Sequence, residues 1–290
     1  MNIYFYNHYH NGDLHLSREI VKYLLDNLEH QTSFYISNCD ANIFYDLPVI
    51  PIGFDNYHFL NQNSRIFMNR EDLFINTWIG QSNRFFLDRK NAFCVSASAN
   101  LKLLKSITDN LSIGCKIDER GLVPRINFNS LDSKNKIDNF FITKKNNILF
   151  CNNFPKSNQA ASDDLSFLLN YLSKQFPNIN FIVTNKQNEI AKFENIYYSE
   201  EICLKSKNLI DISYMSTKCD VIFGRASGPY EFCKISDNIF EKEKKFICFS
   251  REVGDASWID PIYCECSFEW SNDLNNIKKF LEEECRKLSI

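Results

Sequence analysis

The stretch CDVIFGRASGPYEF, residues 219–232, contains the pattern that decides the fold. Residues 220–223 form a short apolar run that is typical of a buried strand, and Pro229 suits the first position of a helix. Between them, Gly224 and Gly228 predict a tight turn at which the backbone can approach a ligand. A strand that passes through such a turn into a helix is the repeating unit of a parallel α/β sheet.

The same alternation extends through both halves of the chain. The pattern predicts strands at residues 2–6, 32–37, 47–52, 73–78, 147–151, 180–184, 196–198, 220–223 and 245–249. It predicts helices at residues 16–28, 97–108, 163–176, 209–218 and 272–288, with another that begins near Pro229. Between residues 114 and 145 the sequence is polar and irregular, which indicates a linker.

We therefore predict an α/β protein with two Rossmann-like lobes, each a doubly wound parallel sheet, that face a central cleft. The predicted N-terminal domain is residues 1–140, on the acceptor side, and the predicted C-terminal domain is residues 141–290, on the nucleotide-sugar side. Open parallel sheets bind ligands at the carboxyl ends of their strands. The loops that follow the predicted strands are therefore where functional residues are expected.

Composition limits the class of protein. The chain has 290 residues, 44% hydrophobic and 24% charged, with a formal net charge of -3, which gives no global case for nucleic-acid binding. No signal peptide or membrane-length apolar stretch is present, so we expect a cytoplasmic protein, and peripheral contact with a membrane stays open. The 11 cysteines are scattered and are expected to be reduced thiols. The pair Cys264 and Cys266 lacks the other ligands of a zinc site.

The loop NHYHNGDLH, residues 7–15, follows the first predicted strand. Gly12 permits a tight turn, and Asp13 is placed to cap the next helix. Capping alone is one explanation of Asp13; the other is a carboxylate that deprotonates a hydroxyl, with His8, His10 or His15 orienting the substrate or offsetting phosphate charge. The histidines lack the helical i, i+4 spacing of a zincin site, so we predict no metal.

The loop at residues 224–231 has the composition of an anion site. Arg225 supplies charge, Ser227 a hydroxyl and Gly228 the amide of a helix amino terminus, a set that suits a diphosphate. Glu231 in the first helical turn either caps the helix or accepts hydrogen bonds from sugar hydroxyls. The chain has no G-x-G-x-x-G, Walker or G-x-S-x-G motif, which argues against dehydrogenases, ATPases and serine hydrolases.

Other strand-end residues complete the predicted site. Trp78 and Gln81 follow a first-domain strand, where the indole can stack on an acceptor sugar or be an ordinary core residue. In the second domain, Asn153, Thr184 and Lys186 follow two strands, where they can contact the base or phosphate of a donor or simply shape their loops.

Two such lobes, the Gly12-Asp13 turn and the strand-turn-helix at residues 220–229 resemble the GT-B glycosyltransferases, most closely the inverting heptosyltransferases and their lipopolysaccharide relatives. The resemblance implies that Asp13 is the general base on the acceptor hydroxyl. It also implies that Ser227-Gly228 holds the donor diphosphate without a metal. The chain departs from that family where Tyr230 and Glu231 stand in place of its usual histidine.

The resulting expectation is an inverting, metal-independent glycosyltransferase of glycan or polysaccharide biosynthesis. A nucleotide-diphosphate sugar is the co-substrate, no other cofactor is needed, and Asp13, His10 and His15 form the predicted catalytic set. One alternative is a non-hydrolysing nucleotide-sugar epimerase, which needs no acceptor. Another is a module that binds a nucleotide sugar or a protein without turnover. DNA glucosylation is disfavoured by the acidic balance of charge.

Overall fold

The computed structural model describes residues 1–38, 41–60, 65–78, 97–154, 163–204, 208–226, 228–250 and 263–290. The chain divides into two compact units. Unit 1 is Met1–Ile126 with Trp258–Tyr263, and unit 2 is Asn127–Ser257 with Cys264–Ile290.

Unit 1 is built on a mostly parallel sheet. Its strands are β1 (Ile3–Tyr6), β2 (Ser33–Ile36), β3 (Ile50–Ile52), β4 (Ile66–Asn69) and β5 (Asp72–Asn76). Their order in the sheet is β3-β2-β1-β5-β4, and only β4 is antiparallel to its neighbour among the described strands. The strand order reverses between β1 and β5, because the chain passes from β1 outward to β3 on one side and continues with β5 on the other.

The described helices of unit 1 are α1 (Asn11–Leu16), α2 (Arg18–Asn27) and α3 (Ala97–Asn110). The single helix predicted at residues 16–28 is thus preceded by a separate turn of helix, and Ser17 forms the junction, where its hydroxyl donates to the Leu14 carbonyl. The completely buried Arg18 pairs with Asp46 and donates to the carbonyls of Ile43 and Arg125, so α2 anchors two distant loops.

A second face of this sheet is packed by aromatic rings. Tyr4 stacks between Phe34 and Phe74, with ring centroids 4.7 and 4.6 Å apart. The surrounding cluster is centred on Tyr6, Ile36, Leu60 and Phe74 and contains no residue of α1, α2 or α3.

Unit 2 contains a larger sheet in which every described pair of strands is parallel. Its strands are β6 (Asn147–Cys151), β7 (Asn180–Val183), β8 (Ile196–Tyr198), β9 (Val221–Arg225), β10 (Lys245–Phe249) and β11 (Ser267–Ser271). The order is β11-β10-β9-β6-β7-β8, so the reversal falls between β6 and β9.

Helices cover both faces of this second sheet. They are α4 (Lys134–Phe141), α5 (Ser166–Gln175), α6 (Ser199–Ile202), α7 (Leu209–Ser216), α8 (Gly228–Phe232), α9 (Ser236–Ile239) and α10 (Leu274–Leu288). Leucines of α5 and the apolar residues of α10 pack in one core with Phe150 and Phe223. On the other face, the Tyr230 ring of α8 packs edge-on against Phe246, with centroids 5.8 Å apart. Each fully buried leucine of such a core stabilises the fold by about 1.5–3 kcal/mol.

Unit 2 begins at Asn127 and so includes the segment before β6, whereas the sequence predicts that the second domain begins at residue 141. Its polar stretch at residues 133–136 begins helix α4 instead of continuing a linker. The Asp138 carboxylate of α4 accepts hydrogen bonds from Lys134 and from the Tyr214 hydroxyl of α7, both at 2.6 Å. The Ser133 hydroxyl donates to Asp211 of α7 at 2.9 Å. These polar contacts with α7 explain why charged residues occur in a packed segment.

The nine cysteines in these ranges are free thiols, most of them buried. No helix within these ranges combines the length and hydrophobicity needed to cross a bilayer.

Candidate functional site

The two points of strand reversal are the natural places to look for a ligand site. In open α/β sheets, ligands bind beyond the carboxyl ends of the strands where the strand order reverses. Unit 1 has this point between β1 and β5, and unit 2 has it between β6 and β9. The sequence-predicted residues that follow these strands are described below for each unit separately.

Two matching turns follow β1 and β5 in unit 1. The Asn7 side-chain oxygen accepts from the Tyr9 backbone N–H at 2.9 Å, and the Asn76 oxygen accepts from the Trp78 N–H at 2.9 Å. Both asparagines are completely buried. A side-chain amide that mimics a backbone turn in this way fixes the direction of the chain leaving a strand. The result is that Tyr9 and Trp78 stack on each other, with ring centroids 3.8 Å apart and planes 16° apart.

The sequence predicts that Asp13 caps the first helix, but in the structure another residue occupies the N-cap position. His10 is the N-cap, in extended conformation, and Asp13 is the third residue of α1. A backbone interaction with His10 is among the effects that lower the pKa of Asp13, and this is the pairing expected for the acidic residue of a capping box. A glutamate or aspartate at the third position thereby satisfies an amide that the helix itself leaves unpaired.

The environment of Asp13 raises the pKa of its carboxyl. Burial is the main cause, since desolvation disfavours the charged form. Hydrogen bonds from the His10 backbone and from the Trp78 side chain, together with the charge of His10, oppose this effect. A half-buried carboxylate with a raised pKa is a better proton acceptor than an exposed one, because its basicity is closer to that needed at neutral pH.

The three histidines of the first loop occupy different environments. His8 stacks on Phe54 with ring centroids 4.4 Å apart, and burial lowers its pKa, which disfavours the charge-offsetting role among the two that the sequence leaves open for it. His10 is exposed at the start of α1. His15 is completely buried, so the predicted contact with a substrate is replaced by a place in the interior of unit 1.

In unit 2, the residues that follow β6 and β7 are joined by side-chain hydrogen bonds. The Asn152 amide donates to the Asn185 carbonyl at 2.8 Å, and its oxygen accepts from the Asn185 N–H at 2.9 Å. The Thr184 hydroxyl donates to the Asn153 side chain. These contacts bring together two predicted donor residues, Asn153 and Thr184, with Asn152, which the sequence places beside Asn153 at the same strand end.

A pocket of about 430 Å³ opens beside this network. Its lining residues are Phe154, Asp164, Lys186, Gln187, Asn188 and Glu189. The Gln187 side-chain oxygen accepts from Ser166 at 3.0 Å and from Asn152 at 3.2 Å, which ties the pocket wall to α5 and β6. The Lys186 side chain is 58% exposed and its ammonium lies 3.6 Å from Glu201, a weak ion pair that leaves it able to meet an anion.

Arg225 has a different role from the one predicted. It is 1% exposed, and its guanidinium donates to the carbonyls of Asn152 at 2.9 Å, Asn153 at 3.2 Å and Asp163. Burial lowers its pKa, while Asp163 and Asp164 act in the opposite direction. Since both terminal nitrogens of the buried guanidinium donate to loop carbonyls, a positioning role for Arg225 accounts for these contacts better than the predicted diphosphate contact. The residue holds the two described ends of the loop between β6 and α5.

The structure also shows the surroundings of the two glycines and the glutamate in the predicted anion loop, residues 224–231. A Cβ at Gly224 would lie 2.6 Å from the Cys151 Cβ, so this glycine allows β9 to pack beside β6 and is not needed for ligand approach. Among the described residues, a Cβ at Gly228 would meet Leu209, at 3.9 Å. Glu231 pairs with the buried Lys234 at 2.9 Å, which competes with the predicted sugar contact.

Two predicted residues, Gln81 and Ser227, lie outside the described residues. Sequence reasoning does not anticipate that Asn7 and Asn76 form turns in unit 1, or that Gln187 joins two elements of unit 2. Their common signal is an asparagine or glutamine one or a few residues beyond a buried strand. Within the described ranges, no group of three histidines, cysteines or carboxylates is arranged to hold a metal ion.

Comparison with solved structures identifies the class of fold. The crystal structure of the glycosyl transferase family 9 from Veillonella parvula DSM 2008 is similar over 97% of this chain and 90% of that chain, with a TM-score of 0.53 and 12% identity. The fold is therefore of the GT-B type, as the sequence predicts. No protein-family model and no curated protein matches the sequence.

Two particular enzymes from E. coli share this fold. The heptosyltransferase WaaC with ADP has a TM-score of 0.52 and 11% identity, and the similarity covers 99% of each chain. The ADP-heptose lps heptosyltransferase II has a TM-score of 0.50 and 9% identity, and the similarity covers 100% of each chain. The predicted resemblance to heptosyltransferases is confirmed at the level of the fold.

Proposed function

We propose that the protein is a glycosyltransferase that moves a sugar from a nucleotide-diphosphate donor to a hydroxyl of a glycan-type acceptor, with inversion and without a metal. The observation that carries the proposal is the position of Asp13. It is a half-buried carboxylate with a raised pKa, beside the strand reversal of unit 1, in a chain with the fold of heptosyltransferases.

In the proposed reaction, the Asp13 carboxylate removes the proton of the acceptor hydroxyl. The oxygen forms a bond to the anomeric carbon of the donor sugar, and the bond from that carbon to the diphosphate breaks on the opposite face. The diphosphate leaves with the electron pair and its negative charge. A positioned general base contributes about 10²- to 10⁴-fold to the rate of such a step.

The proposed donor site is the edge of unit 2 after β6 and β7. Asn153, Thr184 and the Gln187 amide supply hydrogen-bonding groups, and the exposed Lys186 ammonium supplies positive charge for the diphosphate. Favourable contacts with the charge that develops on a leaving group are a large source of rate enhancement. One of the solved structures is WaaC with ADP, and this makes ADP the first nucleotide to test.

The wider setting is part of the proposal. We infer a cytoplasmic enzyme of polysaccharide or related glycan biosynthesis, because nucleotide sugars are water-soluble co-substrates and the acceptor needs only a nucleophilic hydroxyl. Peripheral contact with a membrane would accompany a lipid-linked acceptor. His10, exposed next to Asp13, is placed to meet an acceptor, whereas the half-buried His8 shapes the loop.

The first experiment is a thermal-shift titration of the full chain with ADP, UDP and GDP, with and without Mg²⁺. A ligand that binds only the folded protein raises its melting temperature. We expect one nucleotide to give a Mg²⁺-independent shift. The variant Lys186→Ala should weaken the shift, while Lys192→Ala, an exposed lysine outside the lining of the pocket, should not.

Product analysis then separates this function from its alternatives. Incubation with the nucleotide sugar of the preferred base should release the nucleoside diphosphate only when an acceptor is present. Conversion of the donor without acceptor would identify an epimerase. Binding without turnover on a broad panel of acceptors would identify a binding module. A chain that gives no shift with any nucleotide at millimolar concentration would contradict the proposed donor site.

A further inference from the structure

A second cavity, of about 630 Å³, lies in unit 1. Sites for small ligands usually have volumes of about 300–1,000 Å³. The cavity is lined by Lys105 of α3 and by residues of the segment 115–125 that follows this helix. None of its described lining residues belongs to α1 or to the turns after β1 and β5, so it is a different place from the surroundings of Asp13.

The lining of this cavity is strongly basic. Lys105, Lys116, Arg120 and Arg125 contribute four cationic side chains, and Asp118 contributes a single carboxylate. This excess of three positive charges contrasts with the whole chain, whose formal net charge is -3. All four cationic residues are exposed, so they meet an anion without the desolvation cost that a buried charge carries.

The backbone that carries these charges is fixed near both ends of the segment. The Lys116 N–H donates to the Tyr23 hydroxyl of α2 at 3.1 Å. The Arg125 N–H donates to the buried Glu19 carboxylate at 2.7 Å, and the Arg125 carbonyl accepts from the buried Arg18 at 3.1 Å. These contacts use backbone groups, and neither the Lys116 nor the Arg125 side chain forms an ion pair with a described residue. Both side chains are therefore available to a ligand.

The single carboxylate of the lining has a structural use. One Asp118 carboxylate oxygen accepts from the Gly121 N–H at 3.0 Å, which closes a turn in the middle of the segment. The cations around it match phosphate, because a guanidinium binds two phosphate oxygens at once and an ammonium adds a point charge. A phosphate monoester carries about 1.5 to 2 negative charges at neutral pH, which suits an excess of three positive charges better than a lone carboxylate does.

We propose that the cavity lined by Lys105, Lys116, Arg120 and Arg125 binds a phosphate-bearing ligand, at a site separate from the donor site of unit 2. This site goes beyond the proposed function and does not depend on it. A soluble phosphate and the headgroup of an anionic lipid present the same chemistry to the cavity, and the experiment distinguishes these two sources.

The experiment uses Cys115, a half-buried free thiol in the lining of the cavity, as a local reporter. The full chain is alkylated with neutral iodoacetamide, and each cysteine is followed by mass spectrometry of its peptide. Cys264, a half-buried free thiol of unit 2, is the internal reference. We expect inorganic phosphate to slow the alkylation of Cys115 and to leave that of Cys264 unchanged. Sodium acetate at the same ionic strength should give little protection.

Two variants remove charge and keep the backbone contacts, namely Lys116→Ala and Arg125→Ala. Each should raise the phosphate concentration needed for half-maximal protection about tenfold, as expected for loss of a hydrogen bond to a charged group. Lys192→Ala removes the same charge from an exposed position in unit 2 and should leave protection unchanged. Lys105→Ala in α3 is a further variant that leaves the segment 115–125 intact, and the same tenfold change is expected.

Vesicles of phosphatidylcholine, with and without phosphatidylglycerol, identify the source of the phosphate. Protection of Cys115 by inorganic phosphate in solution supports a soluble ligand, whereas protection confined to vesicles with phosphatidylglycerol supports a lipid headgroup. Alkylation of Cys115 at the same rate in every condition would overturn the site. Equal protection by acetate, or an equal loss of protection in Lys192→Ala, would overturn it as well, because either result would show a general effect of charge.

The failure of this site and the failure of the proposed function are distinguishable. Lys116→Ala should keep the nucleotide-induced thermal shift, and Lys186→Ala should keep the phosphate protection of Cys115. A chain that gives no nucleotide shift, with Cys115 still protected, would contradict the donor site and leave the site of unit 1 intact. A nucleotide shift without protection of Cys115 would have the opposite meaning.

Discussion

In unit 1, the two strands at the reversal of the sheet, β1 and β5, each lead into a buried asparagine that turns the chain. In unit 2, the corresponding strand β6 is followed by Asn152 and Asn153, and β9 ends in Arg225, whose guanidinium holds their carbonyls. The first arrangement leaves a carboxylate half-buried with a raised pKa. The second leaves an open polar pocket with an exposed lysine.

Under the proposed function, the same position in the two sheets would serve two kinds of chemistry. A neutral, partly desolvated edge favours proton removal, because burial makes a carboxylate more basic. A polar, hydrated edge favours reversible binding of an anion. The proposed function therefore assigns the chemical step to unit 1 and donor binding to unit 2, and this division can be tested by changes made in one unit at a time.

The largest effect is expected for Asp13→Asn. The amide keeps the size of the side chain but cannot accept the proton, so kcat should fall by about 10²- to 10⁴-fold. The nucleotide-induced thermal shift should stay at its wild-type size, because the change lies in unit 1. A parallel loss of nucleotide binding would show that the two units do not divide the work as proposed.

Arg225→Met should destabilise unit 2 by about 2–3 kcal/mol, because carbonyls of Asn152, Asn153 and Asp163 lose their donor in a buried setting. Nucleotide binding should weaken as well, through loss of the loop geometry. Urea unfolding and the nucleotide titration measure the two effects. Arg286→Met on the exposed surface of α10 is the control and should change neither stability nor nucleotide binding. If Arg225→Met lost nucleotide binding without losing stability, that result would favour direct contact of Arg225 with the ligand.

Gly224→Val and Gly228→Ala test whether the glycines at residues 224–231 are required for strand packing or for the turn. The valine must displace Cys151 or Tyr230, whose atoms lie 2.6 and 3.2 Å from the added Cβ, and should cost about 1–3 kcal/mol of unfolding free energy. The alanine at 228 meets nothing closer than 3.9 Å and should leave the urea midpoint nearly unchanged. Equal destabilisation by both would mean that the turn, and not strand packing, requires glycine.

The smallest effect concerns the stability of the Asp13→Asn variant. The folded-state pKa of Asp13 is raised above its unfolded value, so the stabilisation present below the unfolded pKa is lost as the pH rises through the folded pKa. At neutral pH, where the carboxylate is charged, the variant should therefore melt at a slightly higher temperature than the wild type. The difference should shrink as the pH is lowered towards 4; a lower melting temperature at neutral pH would show that the hydrogen bonds outweigh burial.

Much of the fold follows from the sequence because parallel strands buried on both faces are nearly continuous apolar runs. Strand β4 escapes detection because its hairpin turn contains Arg70 at a positive φ of 57°, where a glycine or asparagine is usually the signal. Strand β11, with the sequence SFEWS, is a half-exposed edge strand without a continuous apolar pattern.

The candidate site is predictable in its location and less so in its contacts. The sequence places Thr184 and Lys186 directly after a strand, where the structure finds them, and places Asp13 where the first loop meets a helix, which the structure shows as the first turn of α1. It cannot show that Arg225 is buried, because its carbonyl partners lie 62 to 73 residues away in the chain. The burial of His15 depends in the same way on packing that one-dimensional spacing does not encode.

One consequence follows from the hydrogen bond between the Asp13 carboxylate and the His10 amide. The same oxygens secure the beginning of α1 and, in the proposed reaction, receive a proton. A protonated acid is a poorer acceptor than a carboxylate, so each proton taken up loosens the first turn of the helix and each proton released tightens it. If Asp13 is the base, as proposed, the stability of the first turn of α1 would change with the protonation state of this one side chain during the reaction.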